Sequence, residues 1–175
     1  IQIRKINKTS IYRQFLPGDV LTKQELAGRL QLCIPTVVKN IDTLKEEGLI
    51  RQSGFKGNTG GRNAVAYALV PDARVALGVE LTNDHVTIAA LDLLGNIIAS
   101  DRYQAAFCDT QAYYRALGEA VEGLVRRAGL KGGQILGAGI GLPVLVDGDR
   151  KSIVFNKIID LKGDVHEKLS RHIPC

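Results

Sequence analysis

The segment of the chain that allows the fewest folds is residues 22–50, where two helix starts, a tight turn and a glycine stop follow one another. Thr22 precedes Glu25 by three residues, which is the spacing of a capping box and predicts a helix start. Pro35 suits the first turn of a helix and not its interior, so a second helix is predicted to begin beside it. Gly48 is placed to end that helix in a left-handed conformation. The pattern predicts a helix-turn-helix, a common DNA-reading arrangement.

A glycine-rich, basic segment at residues 56–62 follows the second predicted helix. Residues 49–50 can begin a strand before it and residues 67–69 can return as a second strand, which predicts a hairpin. Two helices followed by a hairpin have the order of a winged helix-turn-helix. Arg62 at the edge of the hairpin would meet the enhanced negative potential of a narrow, A·T-rich minor groove. A flexible hairpin in solvent is the alternative.

One face of the second predicted helix is expected to read DNA. Val37, Ile41 and Leu44 form an inward apolar stripe, and the residues off this stripe would meet phosphates and base edges in the major groove. Ile34 lies where it either meets a thymine methyl or packs against a neighbouring subunit. The alternative is an ordinary amphipathic helix with a solvated polar face. The candidate DNA-binding residues are Thr22, Lys23, Ile34, Thr36, Lys39, Asn40, Lys56, Thr59, Gly60, Gly61 and Arg62.

The charge of the chain is concentrated in its first third. Residues 1–62 hold 11 Lys+Arg and 5 Asp+Glu, a net charge of +6. Residues 63–175 hold 12 and 13, a net charge of −1. A basic region joined to a near-neutral remainder is typical of a protein that binds the phosphates of double-stranded DNA.

Composition is that of a globular protein, with 45% hydrophobic and 23% charged residues. No apolar run reaches the length of a bilayer and no signal peptide opens the chain, so we expect a cytoplasmic protein with no membrane partner. Cys33, Cys108 and Cys175 are unclustered and are expected to be reduced thiols. The chain begins at Ile1 and contains no methionine, so we expect it to be a fragment.

A domain boundary is predicted near residue 70, which gives a DNA-binding domain at 1–70 and a second domain at 71–175. The predicted elements of the second domain are strands at 75–81, 86–92 and 97–99, a helix from Asp109 or Thr110 to about residue 128, a strand at 135–142 and a short helix at 164–172. This β-β-β-α-β order is that of half an actin-like, ribonuclease-H-like lobe. The predicted fold class is therefore α/β overall, with an N-terminal winged helix-turn-helix.

Four parts of the sequence together resemble one known family. They are residues 3–8, the helix-turn-helix at 22–50, the Gly60-Gly61-Arg62 sequence, and the strand sequences at 77–80 and 137–143. In this order and spacing, the whole chain resembles the N-terminal part of ROK-family transcriptional repressors (repressor, open reading frame, kinase).

The resemblance implies a repressor of sugar-metabolism genes that binds operator DNA as a homodimer or higher homo-oligomer. It also implies a sugar or sugar-phosphate effector. The family's Asn-Asp pair for the sugar and its His/Cys zinc cluster would lie beyond Cys175. No cofactor is therefore expected within this segment, and a structural zinc is implied only downstream of it.

The chain departs from the family pattern at two places in the helix-turn-helix. Gln31 lies in the turn, where the family often has glycine. Cys33 stands where a serine often caps the second helix, and because cysteine caps poorly this helix is expected to begin less firmly.

The family's kinases offer an alternative function. Their lobe begins with an acidic residue and a Gly-Gly-Thr turn, whose backbone approaches the ATP phosphates closely. Here Glu80 is followed by Thr82, Asn83 and Asp84 in place of that turn, so ATP binding is predicted to be lost and no enzyme activity is expected. A sugar kinase with an accessory N-terminal module is the alternative, and a winged helix that contacts only proteins is a third.

Overall fold

The computed structural model describes residues 2–57, 63–148, 153–155 and 158–173. It divides the chain into two compact units, Ile1–Ala73 and Arg74–Cys175, which are called unit 1 and unit 2 below. Both units mix helices with sheets, so the expected α/β character is confirmed.

Unit 1 combines helices with a small antiparallel sheet of strand order β1-β3-β2. The second and third helices and the hairpin follow the predicted order. The elements of unit 1 are α1 (Gln2–Arg13), β1 (Leu21–Thr22), α2 (Lys23–Leu30), α3 (Ile34–Glu46), β2 (Ile50–Lys56) and β3 (Ala64–Leu69).

Local chemistry fixes the ends of α2 and α3 as the sequence predicts. The Glu25 backbone N–H donates to Thr22 Oγ1 at 3.2 Å and the Thr22 N–H donates to Glu25 Oε2 at 2.7 Å, which completes the capping box. Pro35 lies in the first turn of α3, and the side chain of the N-cap residue Cys33 makes no capping hydrogen bond to the helix backbone. Gly48 follows α3 with a φ of +68°.

The turn between α2 and α3 depends on a residue in an unfavourable conformation. Gln31 has a φ of +53°, and among the described residues it is the one non-glycine with a positive φ. Its backbone N–H donates to the Ala27 carbonyl, which closes the last turn of α2. The position where the family often has glycine is therefore one where glycine would be unstrained.

The core of unit 1 holds α3 against α1, α2 and the sheet. The predicted inward stripe of Val37, Ile41 and Leu44 is fully buried. Lys8 on α1 adds an ion pair to Glu47 at the end of α3, with 2.6 Å between Nζ and Oε1. The other buried apolar residues of unit 1 are Ile11, Phe15, Leu21, Leu26, Ile50, Ala66, Tyr67 and Leu69.

Unit 2 is built on a sheet of strand order β6-β5-β4-β7. Strand β7 is parallel to β4, and the other neighbours are antiparallel. The β-β-β-α-β order is confirmed. The elements of unit 2 are β4 (Val75–Leu81), β5 (His85–Leu91), β6 (Ile97–Gln104), α4 (Gln111–Arg127), β7 (Ile135–Gly141), β8 (Leu145–Val146), β9 (Ile153–Phe155) and α5 (Val165–Ser170).

Two features of unit 2 differ from the sequence prediction. Strand β6 continues to Gln104, five residues beyond the predicted end at 99, because pairing with β5 satisfies its backbone while polar side chains alternate outward. The short antiparallel pair β8 and β9 was not predicted. In α4, Leu117, Val121 and Leu124 are buried in the core and Val125 packs against it, as predicted.

Asp109 joins the start of α4 to α5. Thr110, one of the two predicted caps, is the residue that caps α4, by accepting from the Tyr113 N–H at 3.3 Å. Asp109 instead accepts from Tyr114 Oη at 2.7 Å and from Lys168 Nζ at 2.7 Å. Partial burial raises the pKa of the Asp109 carboxyl, but the bonds from Lys168 and Tyr114 outweigh it and leave the pKa below its usual value.

Gly118 lets α4 approach the end of α5 closely. A Cβ added to Gly118 would lie 2.3 Å from the backbone carbonyl oxygen of His172. The His172 ring stacks on Tyr114, with 6.4 Å between ring centroids, and its Nε2 donates to Gln111 Oε1 at 3.0 Å. These two contacts of the His172 ring with α4 keep its backbone carbonyl close to Gly118.

Replacing Gln31 by glycine is expected to stabilise the chain. A left-handed conformation costs an L-residue about 1–2 kcal/mol, and the greater freedom of unfolded glycine offsets part of this gain. Gln31→Gly should therefore raise the free energy of unfolding by about 0.5–1 kcal/mol, measured by urea denaturation. The control Gln24→Gly, within α2, should lower it by a similar amount. A Gln31→Gly variant less stable than the parent chain would contradict this account of the turn.

Replacing Gly118 by alanine is expected to destabilise unit 2. The new methyl would overlap the His172 carbonyl, and such overpacking costs about 1–3 kcal/mol. Gly123→Ala is a matched control in the same helix, because its Cβ would meet only the flexible end of Arg127. That control should be neutral or stabilising by up to about 1 kcal/mol. Thermal denaturation of the two variants tests the contact, and equal stabilities would contradict it.

The Asp109–Lys168 contact is expected to make stability depend on acid pH. Because the folded pKa of Asp109 lies below its unfolded value of about 3.9, its contribution is complete above that value and is lost as the pH falls through the folded pKa. Asp109→Asn should cost about 1–2 kcal/mol at pH 7, and this difference should shrink below about pH 4.

Asp160→Asn is the control for this effect, since the Asp160–Lys162 pair is exposed and such pairs contribute about 0–1 kcal/mol. Urea denaturation between pH 3 and pH 7 compares the two variants. A cost of Asp109→Asn that stays constant with pH would contradict a role for the ionised carboxylate.

Candidate nucleic-acid interface

The outward face of α3 has an apolar beginning and an acidic end. The burial of Val37, Ile41 and Leu44 turns the opposite side of the helix to solvent. The residues on this outward face are Ile34, Pro35, Val38, Lys39, Asp42, Thr43 and Glu46.

Charge is distributed unevenly along α3. From its cap to Ile41, Lys39 is the one charged residue, whereas Asp42, Glu46 and Glu47 follow in the second half, with Lys45 among them. The helix N-terminus carries a partial positive charge, which favours an anion at that end. A polyanion such as DNA can therefore approach the first two turns of α3 more favourably than the last turn.

Cys33 and Thr36 form a polar pair at the start of α3. Cys33 Sγ lies 3.1 Å from Thr36 Oγ1. This contact, together with the Thr36 backbone, lowers the pKa of the exposed Cys33 thiol. The side chain of Thr36, a predicted DNA contact, is thus held in place beside the exposed Ile34 and Lys39.

Two of the predicted DNA-binding residues, Asn40 and Thr22, have buried side chains and do not lie on the accessible face. Asn40 is only 4% exposed, and its Nδ2 donates to the Thr36 carbonyl at 2.8 Å. It lies at the edge of the inward stripe, where this intrahelical bond satisfies a buried amide. Thr22 is 5% exposed, and its hydroxyl is used to cap α2. Neither side chain is free to reach a base edge.

The predicted cations near the start of α2 both have contacts within unit 1. Lys56 Nζ lies 3.0 Å from Glu25 Oε1, and Lys23 Nζ lies 5.6 Å from the centroid of the Tyr67 ring. Hydrogen bonding from the Thr22 backbone, aided by Lys56, keeps the pKa of Glu25 below its usual value. A phosphate approaching Lys56 would have to compete with this carboxylate.

The hairpin exposes residues that the sequence analysis did not select. Phe55 in β2 is 64% exposed and follows Gly54, whose φ of +82° accompanies an irregularity in the β2–β3 register. Val38 on α3 was also missed, although its spacing of four residues from Ile34 places both on one face. The predicted contacts Thr59, Gly60, Gly61 and Arg62 lie outside the described residues.

The turn between β4 and β5 has side-chain contacts where the family's kinases have glycine. His85 Nδ1 donates to Asp84 Oδ1 at 2.8 Å and lies 2.8 Å from Thr82 Oγ1. Hydrogen bonds from His85 and then Thr82 lower the pKa of Asp84, so this exposed carboxylate is ionised at neutral pH. A negative charge at this turn disfavours a phosphate there.

Among the described residues, no group of three or more His, Cys, Asp or Glu side chains is arranged to hold a metal ion. Within the same residues, no helix combines the length and the apolar character that crossing a membrane requires.

Comparison with known proteins finds relatives that are named as transcriptional regulators. The xylose repressor of Bacillus spizizenii (strain ATCC 23059 / NRRL B-14472 / W23) is 24% identical over 173 residues, which are 96% of this chain and 45% of that protein. The DNA-binding transcriptional dual regulator NagC of Escherichia coli (strain K12) is 26% identical over 161 residues, or 92% of this chain and 40% of NagC. The chain thus spans less than half the length of these relatives. No family model matches it.

A solved structure shares the fold. The crystal structure of a ROK family transcriptional regulator, a homolog of the E. coli MLC protein, matches with a TM-score of 0.66 and 20% sequence identity, over 98% of this chain and 43% of that one. These comparisons agree with the family resemblance indicated by the sequence motifs, since the chain is similar to named sugar repressors and shares the fold of a ROK-family transcriptional regulator.

Proposed function

We propose that this chain belongs to a sequence-specific DNA-binding regulator that represses sugar-metabolism genes and responds to a sugar or sugar phosphate. Its relatives are named as repressors for xylose and N-acetylglucosamine. The observation that best supports DNA binding is the outward surface of the first half of α3. Lys39 is the one charged residue there, and the acidic residues begin only at Asp42.

In this proposal unit 1 is a winged helix-turn-helix. Helix α2 and the strained turn at Gln31 set the direction of α3, and the β2–β3 hairpin is the wing. The inward stripe of α3 holds the helix while its outer face enters the major groove. Such a helix contacts base edges mainly through its N-terminal residues, which here are the residues free of acidic neighbours.

The candidate contacts take different roles in this arrangement. Lys39 and Thr36 lie on the first two turns of α3 and would meet phosphates or base edges. Lys23, and Lys56 after release from Glu25, would contact the DNA backbone. The glycine-rich segment, with Arg62 as its cation, would approach the minor groove. This last assignment is supported by the sequence and the family resemblance.

Unit 2 would link DNA reading to the effector and to assembly. We infer that it is part of an actin-like lobe, on the strength of its β-β-β-α-β order and of the similar fold of a ROK regulator. A homodimer would set the spacing of two operator half-sites, and an effector would favour the conformation in which the two reading heads cannot both engage. This mechanism places the protein in the cytoplasm.

A sugar kinase is the less favoured function. The ionised Asp84, held by His85 and Thr82, stands where the family's kinases bring backbone amides to a phosphate. Without the glycine turn, we expect the protein not to hold the ATP phosphates. Phosphorylation of a hexose by the intact protein with ATP would therefore overturn the non-enzymatic assignment.

The DNA-reading proposal is tested by two lysines on the same helix. Lys39→Ala should weaken binding to an operator recovered by genomic selection about tenfold, the effect of losing one good phosphate or base contact. Lys45→Ala is the matched control, since Lys45 lies in the acidic half of α3, 3.8 Å from Asp42, and should change the affinity less than about twofold. Fluorescence anisotropy at several salt concentrations measures both.

The salt dependence separates this proposal from the protein-contact alternative. If Lys39 neutralises a phosphate, its loss should reduce the slope of log affinity against log salt by about one. Equal effects of the two lysine variants would show that α3 is not the reading surface. Failure of the intact protein to enrich any DNA sequence would favour a winged helix that contacts proteins.

A further inference from the structure

We propose that Ile34 and Val38 read the 5-methyl groups of thymine in the operator, so that the specificity of α3 rests on apolar contacts at its first two turns. This inference depends on the proposed DNA-reading function. The evidence is the exposure of Ile34, the spacing between it and the half-buried Val38, and the charges around them.

Ile34 and Val38 present an apolar surface on a helix face that is otherwise polar. Ile34 is 42% exposed although it lies in the first turn of α3. Val38, which is half-buried, follows four residues later on the same face, where Pro35 also lies. None of these three side chains has a hydrogen-bond donor or acceptor.

The major groove offers these residues one apolar feature. Base edges there carry hydrogen-bonding groups, and thymine adds a C5-methyl group. The N-terminal residues of a major-groove helix contact base edges, and Ile34 is the first residue of α3. A branched aliphatic pair at this position therefore fits thymine methyls better than any hydrogen-bonding edge.

The charges on α3 limit how the helix can enter the groove. Asp42 and Glu46 also line the outward face and would be repelled by phosphates if the whole helix lay along the groove floor. The first half of α3, with Lys39 beside the apolar pair, can enter without this cost. The acidic residues thus direct Ile34 and Val38 toward the bases.

The spacing predicts where the thymines lie. Ile34 and Val38 are separated by about 6 Å along the helix axis, and successive base pairs are about 3.4 Å apart. The two methyl groups should therefore lie within about two base-pair steps of each other in each half-site.

The alternative occupant of this surface is a second copy of the chain. The apolar part of the outward face of α3 consists of only Ile34, Pro35 and Val38, and charged residues border it. Stable interfaces between subunits bury more than about 1,000 Å², far more than three side chains supply. Charge and size both favour DNA.

The experiment uses operator DNA recovered by genomic selection, with each thymidine of one half-site replaced singly by deoxyuridine. This change removes only the methyl group and keeps the hydrogen-bonding groups of the base. At one or two positions the affinity of the intact protein should fall about three- to fourfold, the effect of losing one buried methyl. Replacement by deoxycytidine at those positions should weaken binding, and 5-methyldeoxycytidine should recover part of the loss.

Variants assign each methyl to a side chain. Ile34→Ala and Val38→Ala should each abolish, at one operator position, the difference in affinity between thymidine and deoxyuridine. At the other positions the effect of deoxyuridine on affinity should be unchanged. Ile6→Ala is the matched control, since Ile6 lies on α1 and is 57% exposed, and this variant should discriminate as the parent chain does.

The outcomes separate this inference from the function on which it rests. The protein could bind the operator in a salt-dependent way and lose no affinity when deoxyuridine replaces thymidine at any position. That result would overturn the inference but not the proposed DNA-reading function. Absence of sequence-specific binding would overturn both. If Ile34→Ala changes the oligomeric state by sedimentation and deoxyuridine has no effect, the surface belongs to a subunit interface and the inference is wrong.

Discussion

The structure of unit 1 depends on the burial of one side of α3. Val37, Ile41 and Leu44 are almost completely removed from solvent, and burying each such side chain contributes about 1.5–3 kcal/mol relative to leaving it exposed. Because these residues lie three or four apart, they fix the rotation of α3 about its own axis. That rotation determines which residues face outward, so the composition of the candidate DNA-binding surface is a consequence of the core. A helix rolled by one residue would expose Asn40 and hide Val38.

Polar contacts around this core hold the elements that accompany α3. Glu25 is shared between the cap of α2, through Thr22, and the end of β2, through Lys56, so one carboxylate connects the start of a helix to the start of the glycine-rich segment. Lys8 and Glu47 connect α1 to the end of α3. Exposed ion pairs such as these contribute little to stability. Their effect is to hold side chains in place, including one, Lys56, that the sequence suggests for DNA.

Features encoded by local chemistry could be predicted from the sequence, and features that depend on exact geometry could not. The capping box at Thr22, the helix start at Pro35 and the glycine stop at Gly48 each involve residues within one turn of one another. Asn40 was misplaced because its polar character suggested solvent. In a helix, however, an amide can be satisfied by the carbonyl four residues earlier, and the edge of the stripe is then open to it. Val38 was missed for the opposite reason, since an apolar residue next to a core stripe is usually assigned to the core.

Some of the 11 Lys+Arg in the first 62 residues are already paired with carboxylates. Lys8, Arg29, Lys45 and Lys56 each have an acidic partner within 4 Å in unit 1. A phosphate that recruits one of them must displace a carboxylate, and the gain is smaller than for a free cation. In the proposed complex with DNA, affinity would then come mainly from the other cations and from contacts that depend on sequence. The exposed Ile34, with the half-buried Val38 beside it, would add recognition of base identity to this attraction, a combination that helps a DNA-binding protein to distinguish a specific site from the rest of a genome.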